Sequence, residues 1–401
     1  MLFRSVGKRT VPNRICYQPM EGCDGTQGGA PDTLTERRYL RFAKGGAGLI
    51  WFEATAVVPE GRANPRQLMI TEENADTFAA LIHKIKETCL KENGYEPTVI
   101  CQLTHSGRWS KPTGTPSPLV AYHRTPMEKS GPLSESCVLS DDYLDALPEY
   151  YARAARLCEL AGFDGVDIKA CHGYLLCELL SAYTRKGKHG GAYENRTRAF
   201  FSSVDAARAA LSSDAIIASR FNAFDGYAYP YGIGDSGTEG VPDFTEASRI
   251  AADLVRHGTS LLNVTMGCPY TNHEVNRPTF LAKDEMPYVS IQRMLDGAKA
   301  VKDAAPSAAV VSSGVSFLGA LGANVAAHGI EKGDYDMVGF GRQSFSYPTL
   351  ARDIVKNGKM SDESLCLTCG KCTELMRGGK TPGCVIYDKE IYNTLYKEMK
   401  A

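Results

Sequence analysis

Eight short runs of apolar, β-branched-rich residues recur along the chain with longer helical patterns between them, and this alternation constrains the fold more than any other feature of the sequence. The runs are 13–19 (NRICYQP), 48–57 (GLIWFEATAV), 98–104 (TVICQLT), 165–170 (GVDIKA), 215–221 (AIIASRF), 261–265 (LLNVT), 309–313 (AVVSS) and 336–340 (DMVGF). Strands buried on both faces read as near-continuous apolar segments, as in parallel sheets. Between them, Leu147, Tyr151, Ala154, Cys158 and Ala161 share one helical face, with Gly162 placed to end the helix. Thr245 is a candidate N-cap for a second helix that Gly258 ends. Eight strands, most of them followed by a helix, predict an α/β fold of the (β/α)8 TIM-barrel kind. A doubly wound sheet is the competing architecture, but it would favour a Gly-rich phosphate turn after its first strand. Here that strand runs into Pro19-Met20-Glu21-Gly22.

The chain of 401 residues divides into a barrel over 1–355 and a Cys-rich segment over 356–401, which reads as an appendage. The stretch 106–136 is rich in Pro, Ser, Gly and Thr and is expected to be a loop over the barrel mouth. Lys+Arg of 45 against Asp+Glu of 46 gives no basic field for phosphate backbones, so nucleic acid is not an expected partner. No apolar run is long enough to span a membrane, and the N-terminus lacks a secretory pattern. A cytoplasmic location follows as an expectation, in which the 13 cysteines do not form disulfides and those that cluster suit metal or redox use.

The sharpest local motif is Cys366-x₂-Cys369-x₂-Cys372 followed by Cys384. Three thiols at this spacing can face one centre from a tight turn, and a distant fourth completes the shell. The pattern suits an iron–sulfur cluster or structural zinc, and zinc more usually takes two close pairs. A second set of polar residues falls near the C-terminal ends of the strands, where barrel active sites lie. It comprises Gln102, Lys169, His172, Tyr174, Arg220, Ser313-Gly314 and Gly341-Arg342. Glycines with an arginine after the seventh and eighth strands suit an anion, because backbone N–H groups approach closely and the guanidinium pairs with it.

These residues give the chain a resemblance to the old yellow enzyme family of FMN-dependent oxidoreductases. It rests on Asn13-Arg14 to Pro19-Met20, Glu53 to Val57 with Pro59-Glu60-Gly61-Arg62, and Gln102-Leu103-Thr104-His105-Ser106-Gly107-Arg108. Gly162 to Ile168, His172-Gly173-Tyr174-Leu175-Leu176, Gly190-Gly191, Glu194-Asn195-Arg196 and Gly341-Arg342 continue it. The cysteines resemble those of the iron–sulfur branch that holds 2,4-dienoyl-CoA reductase, 2-enoate reductase and trimethylamine dehydrogenase, except that the gap between Cys369 and Cys372 is usually one residue longer there.

The resemblance implies FMN at the barrel mouth. Pro19, Met20 and Ala54 would line the ring, Gln102 would bond its pyrimidine edge, and Arg220 would sit where negative charge develops. Ser313, Gly314, Gly341 and Arg342 would hold the phosphate. It implies a 4Fe–4S cluster on Cys366, Cys369, Cys372 and Cys384. The implied activity is reduction of an activated C=C bond in a small unsaturated carbonyl, enoate or enoyl thioester. Hydride would come from FMN and a proton from Tyr174, with Lys169 and His172 holding the activating oxygen.

Bland readings stand beside these. Arg220 could form a barrel-mouth salt bridge, Lys169 could point at Asp167, and Tyr174 and His105 could be structural. His273 falls near a second catalytic histidine of the branch. The flavin-linking cysteine of some relatives stands two residues past the proline, where this chain has Glu21, so covalent flavin attachment by Cys23 is not expected. No strand–GxGxxG–helix unit is found. An external donor is therefore expected: a ferredoxin, a flavodoxin or an NAD(P)H-oxidising flavoprotein. Amine dehydrogenation or demethylation on the same scaffold, or an electron-transfer subunit of a larger complex, are the alternatives. A homo-oligomer is compatible with all of them.

Overall fold

The eight apolar runs close into one parallel barrel in a computed structural model, which describes residues 4–129, 131–276 and 285–401. Its strands are β1 (Ile15–Tyr17), β2 (Leu49–Ala56), β3 (Thr98–Thr104), β4 (Gly165–Ile168), β5 (Ile216–Phe224), β6 (Leu261–Met266), β7 (Ala309–Ser312) and β8 (Met337–Phe340). Each pairs in parallel with its sequence neighbours, and β8 returns to β1 through Val338 opposite Ile15 and Phe340 opposite Tyr17. Closure removes the doubly wound alternative. The main helix after each strand is α1 (Thr33–Lys44), α2 (Ala75–Asn93), α3 (Asp141–Leu160), α4 (Arg198–Ala210), α5 (Thr245–Arg256), α6 (Pro287–Ala304), α7 (Gly322–Lys332) and α8 (Leu350–Asn357). This is a (β/α)8 barrel.

Two helix boundaries differ from the sequence reading. α3 starts at Asp141, earlier than the periodic face from Leu147, because Ser140 caps it through the Tyr143 N–H and Pro148 is accommodated inside. Thr245 is the first helical residue rather than the cap. The carboxylate of Asp243 accepts its N–H at 2.9 Å instead.

The barrel interior changes character along its axis. At the N-terminal end Cys16, Leu49, Trp51, Ile100, Ala218 and Val311 form a buried apolar layer, and Val6 and Val11 from an antiparallel N-terminal hairpin pack on it. Towards the strands' C-terminal ends the inward residues turn polar and pair across the lumen. Gln18 and Asn263 exchange two amide hydrogen bonds of 3.1 and 2.7 Å. A Cβ on Gly339 would collide with the Gln18 amide, so glycine is required in β8 at that height. The apolar half makes a rigid base, and the polar half presents functional groups to the mouth.

The Cys-rich segment is not an appendage. It lies against α1 and the mouth, with a short helix at Lys371–Arg377 and a helix at Thr394–Lys400. Asp388 accepts two hydrogen bonds from the Arg37 guanidinium, at 2.7 and 2.9 Å, and pairs also with Arg41. Cys366 N–H donates to Gln343 Oε1 at 3.0 Å, and Arg377 donates to the Pro269 carbonyl at 2.9 Å. Composition alone marked it as separate because charged and glycine residues replace apolar strands there. Its contacts make it one wall of the mouth. Among the described residues no helix is long and apolar enough to cross a membrane.

Candidate functional site

A cavity at the C-terminal mouth of the barrel gathers every residue singled out near the strand ends: Pro19 and Met20, Ala54, Gln102, Lys169, His172, Tyr174, Arg220, Ser313-Gly314 and Gly341-Arg342. Its floor is the polar layer described above. Asp167 on β4 is fully buried there and organises it. Its Oδ2 accepts from Gln102 Nε2 at 2.7 Å and from Trp51 Nε1 at 2.8 Å, and its Oδ1 accepts the Arg220 N–H at 2.7 Å. Because the Gln102 amide nitrogen is committed to a carboxylate, its carbonyl oxygen is left as an acceptor. Gln102 therefore offers a fixed acceptor towards the cavity.

Arg220 lies within β5 rather than at its end, since the strand continues through a bulge between Asn222 and Phe224. Its guanidinium makes no ion pair among the described residues, and its buried Nε has no partner. Among the described residues, the barrel-mouth salt bridge is not made. A guanidinium in this place can pair with an anionic or carbonyl acceptor. Arg342 likewise forms no ion pair among the described residues and stands beside Ser313 and two glycines. Gly314 adopts φ +99, a left-handed conformation, where a Cβ would press on Met294 at 3.2 Å. A Cβ on Gly341 would meet Met20 Sδ at 3.2 Å. Glycine keeps both turns open to close approach by an anion.

Lys169 is buried and makes no hydrogen bond or ion pair with Asp167, although that carboxylate still favours its charged form. Its Nζ instead lies 3.4 Å from the centroid of the Tyr174 ring. Burial pulls the ammonium below its ordinary pKa, with Cys171 and Glu21 acting in the opposite direction and Arg220 in the same one. The ring face returns part of the lost solvation. His172 and Gly173 both take positive φ, 65° and 70°. This left-handed pair swings the imidazole to Thr265, with His172 Nε2 3.1 Å from Thr265 Oγ1.

The Tyr174 hydroxyl donates to Glu21 Oε2 at 3.0 Å and lies 3.1 Å from the Tyr270 hydroxyl. Burial raises the phenol well above its ordinary pKa, and the nearby Glu21 and Tyr270 add to this. Trp109 stacks on Tyr270 with centroids 4.4 Å apart. Glu21, Tyr270 and Thr265 were not read from sequence as site residues. Glu21 carried one signal, in that it occupies the place of a flavin-linking cysteine. Tyr270 lies in an unpatterned loop after β6 and carried none. His273 sits in a 3₁₀ turn, His273–Val275, and its side chain lies outside the described residues.

The thiols of Cys366, Cys369, Cys372 and Cys384 line one small pocket beside the mouth, with Arg342 and Phe345 shared between the two cavities. Cys372 also lines both. Among the described residues no group of three or more His, Cys, Asp or Glu is drawn together closely enough to hold a single metal ion. Cys23, Cys171 and Cys177 are buried thiols.

His105 is structural. Its Nδ1 accepts the Gly107 N–H at 3.0 Å, so Nε2 carries the proton facing Tyr143 Oη at 2.9 Å. Burial lowers its pKa from 6.5 to about 3. Unfolded chains take up a proton at this histidine on acidification through about 6.5, which the native state resists until about 3. Stability is therefore expected to fall with falling pH across that window. Urea unfolding between about pH 7 and pH 4 checks this. His105→Gln is expected to be less stable at neutral pH but to show a shallower acid slope.

A sequence model of the NADH:flavin oxidoreductase / NADH oxidase family matches residues 2–360, ending just before Cys366. An NADPH dehydrogenase of Geobacillus thermodenitrificans (strain NG80-2) is 33% identical over 205 residues, covering 50% of this chain and 56% of that protein. The chain thus spans little more than half the length of such curated relatives. In fold, 2-naphthoyl-CoA reductase in complex with 2-naphthoyl-CoA matches 98% of this chain and 57% of its own, with a TM-score of 0.79 at 20% identity. The old yellow enzyme homologue from Zymomonas mobilis covers 90% of this chain and 93% of its own, with a TM-score of 0.66 at 21% identity. The first of these two likenesses takes in nearly all of the Cys-rich segment.

Proposed function

Because the chain belongs to the NADH:flavin oxidoreductase / NADH oxidase family, we propose that this flavin oxidoreductase is an FMN-dependent ene-reductase acting on an activated C=C bond. The observation that carries the reading is the pairing, in one cavity, of an oriented phenol at Tyr174 with two polar groups, Lys169 and His172, able to hold a carbonyl or carboxylate oxygen.

FMN fits the residues present. Gln102 offers an acceptor carbonyl, Arg220 a guanidinium that makes no ion pair among the described residues, and Ser313, Gly314, Gly341 and Arg342 an anion seat. Pro19, Met20 and Ala54 supply apolar contact. When bound, FMN supplies two-electron hydride chemistry. The protein's own part is electrostatic. Lys169 and His172 bind the activating oxygen, where negative charge grows as the β-carbon is reduced. Tyr174, kept protonated by burial, gives its proton to the α-carbon.

The division into a barrel, 1–355, and a cluster-binding segment, 356–401, belongs to the same proposal. Cys366, Cys369, Cys372 and Cys384 would hold a 4Fe–4S cluster, which supplies one-electron chemistry. A cube of iron and sulfide spreads its thiolates wider than a single ion does. What supports the cluster over zinc is the three-plus-one spacing of four cysteines that line one pocket, since zinc more usually takes two close pairs. An external donor would serve it, whether ferredoxin, flavodoxin or an NAD(P)H-oxidising flavoprotein. Amine oxidation is disfavoured, because three basic side chains, Lys169, Arg220 and Arg342, line the cavity against one carboxyl, Glu21, among the described residues.

Anaerobic, dithionite-reduced protein mixed with a panel of enones, enoates and enoyl thioesters tests the reading. Flavin reoxidation with formation of the saturated product is expected. Reduction of oxidised flavin by amines, with no alkene reoxidising it, would replace the reading with amine dehydrogenation. In the same assay Lys169→Met is expected to weaken substrate binding and slow the reaction by about 10²–10³-fold, the usual loss for one donor to a developing oxyanion.

A further inference from the structure

A phenol that gives up one proton per turnover must be aimed at the substrate and then reloaded, and in this site the neighbour of Tyr174 is a carboxyl group. Glu21 Oε2 stands 3.0 Å from the Tyr174 hydroxyl, and Glu21 Oε1 accepts from Asn64 Nδ2 at 2.9 Å. Glu21 remains partly exposed and lines two spaces at once: the mouth cavity, and a wider one beside it bounded by Asn64, Arg66, Trp109, Lys111 and Leu133. Tyr270 lines both as well. The charged and titratable groups facing Glu21 are Lys169 on β4's trailing loop, Tyr174, Tyr270, Cys23 and Glu53.

Resting on the ene-reductase reading, in which Tyr174 is the acid, we propose that Glu21 is a positioning and proton-reloading residue that connects Tyr174 to solvent in the neighbouring cavity. The geometry allows two arrangements. Ionised Glu21 accepts the Tyr174 hydrogen, which then points away from substrate. Protonated Glu21 donates to Tyr174 Oη, and the phenolic hydrogen is free to turn to the substrate carbon. When the Tyr174 O–H bond breaks and the new C–H bond forms, the Glu21 O–H proton passes to the phenolate. Water in the neighbouring cavity then reprotonates Glu21. No oxidant or reductant enters these proton transfers.

Desolvation raises Glu21 above the ordinary carboxylate range, while Lys169, Tyr174 and Asn64 oppose the rise. The sign is fixed by the hydrogen-bond direction. Proton delivery is competent below the Glu21 ionisation and falls above it, by about tenfold per pH unit.

Glu21→Gln tests this, since its amide N–H imitates the donating, protonated carboxyl and cannot ionise. The expected result is retained FMN content and an oxidative half-reaction that has lost its alkaline limb. A limb that persists at the wild-type midpoint overturns the proposal. Infrared difference titration reads the same group without substrate. The wild type is expected to show a carboxylic C=O band, absent from Glu21→Gln, that bleaches with the kinetic midpoint. Its absence overturns the proposal. Tyr174→Phe removes the donor to the carboxylate and is expected to move that band's midpoint upward, so an unmoved midpoint overturns the proposal even if Glu21→Gln does not fold. Failure of every alkene to reoxidise wild-type flavin would instead fall on the ene-reductase reading, and the infrared results would still report on Glu21.

Discussion

Tyr174→Phe is expected to slow reoxidation of reduced flavin by an alkene about 10²–10⁴-fold, the range for loss of a general acid. Flavin binding is expected to persist, because the residues of the anion seat and the Gln102–Asp167–Trp51 floor lie on other parts of the mouth. The ring itself is retained in Phe, so the Lys169 ammonium keeps an aromatic face at 3.4 Å and the packing against Tyr270 survives. The loss then reports the hydroxyl alone. Stopped-flow measurement of the two half-reactions separates the effects: reduction near the wild-type rate, oxidation strongly slowed. An unchanged oxidative rate would mean that another group supplies the proton, with Glu21 at 3.0 Å and Tyr270 at 3.1 Å from the Tyr174 hydroxyl in the wild type.

The barrel was legible in the sequence because parallel strands buried on both faces announce themselves as short apolar runs, and all eight recur as strands. Gln102, Lys169, Arg220 and Gly341 could be placed near the mouth because their positions follow from where those runs end. Other features depend on contacts between distant segments, and no local pattern encodes such contacts. Asp167 looked like a partner for Lys169 at a separation of two residues. Residues two apart need not pair, however, and Asp167 is captured instead by Gln102 from the adjacent β3 and by Trp51 from β2 beyond it. Glu21 meets Tyr174 across 153 positions. The Cys-rich segment read as an appendage because it lacks a strand pattern. Its attachment is carried by Asp388 with Arg37 and Arg41, a charge match between a C-terminal acid and α1.

That attachment sets up the second large effect. Cys372→Ala is expected to abolish iron and acid-labile sulfide, from about four of each per chain to none bound. FMN is expected to stay, since Cys372 contributes one side chain to the mouth while Arg220, Ser313, Gly314, Gly341 and Arg342 stand on the barrel. The consequence for electron supply follows from geometry. Cys372 borders both the thiol pocket and the mouth cavity, and Arg342 and Phe345 form the wall between them. A centre held there would lie next to the cavity proposed for the flavin. With Cys369→Ala, whose thiol is the exposed one of the four, a low-potential carrier is expected to lose its ability to reduce the flavin. Photoreduced flavin in the same variant should still be reoxidised by alkene. The opposite pattern is equally readable. Stoichiometric zinc without sulfide would remove the cluster from the scheme. Reduction by NADH or NADPH alone, at a rate that supports turnover and is unaffected by Cys369→Ala, would make the mouth itself the entry point for electrons.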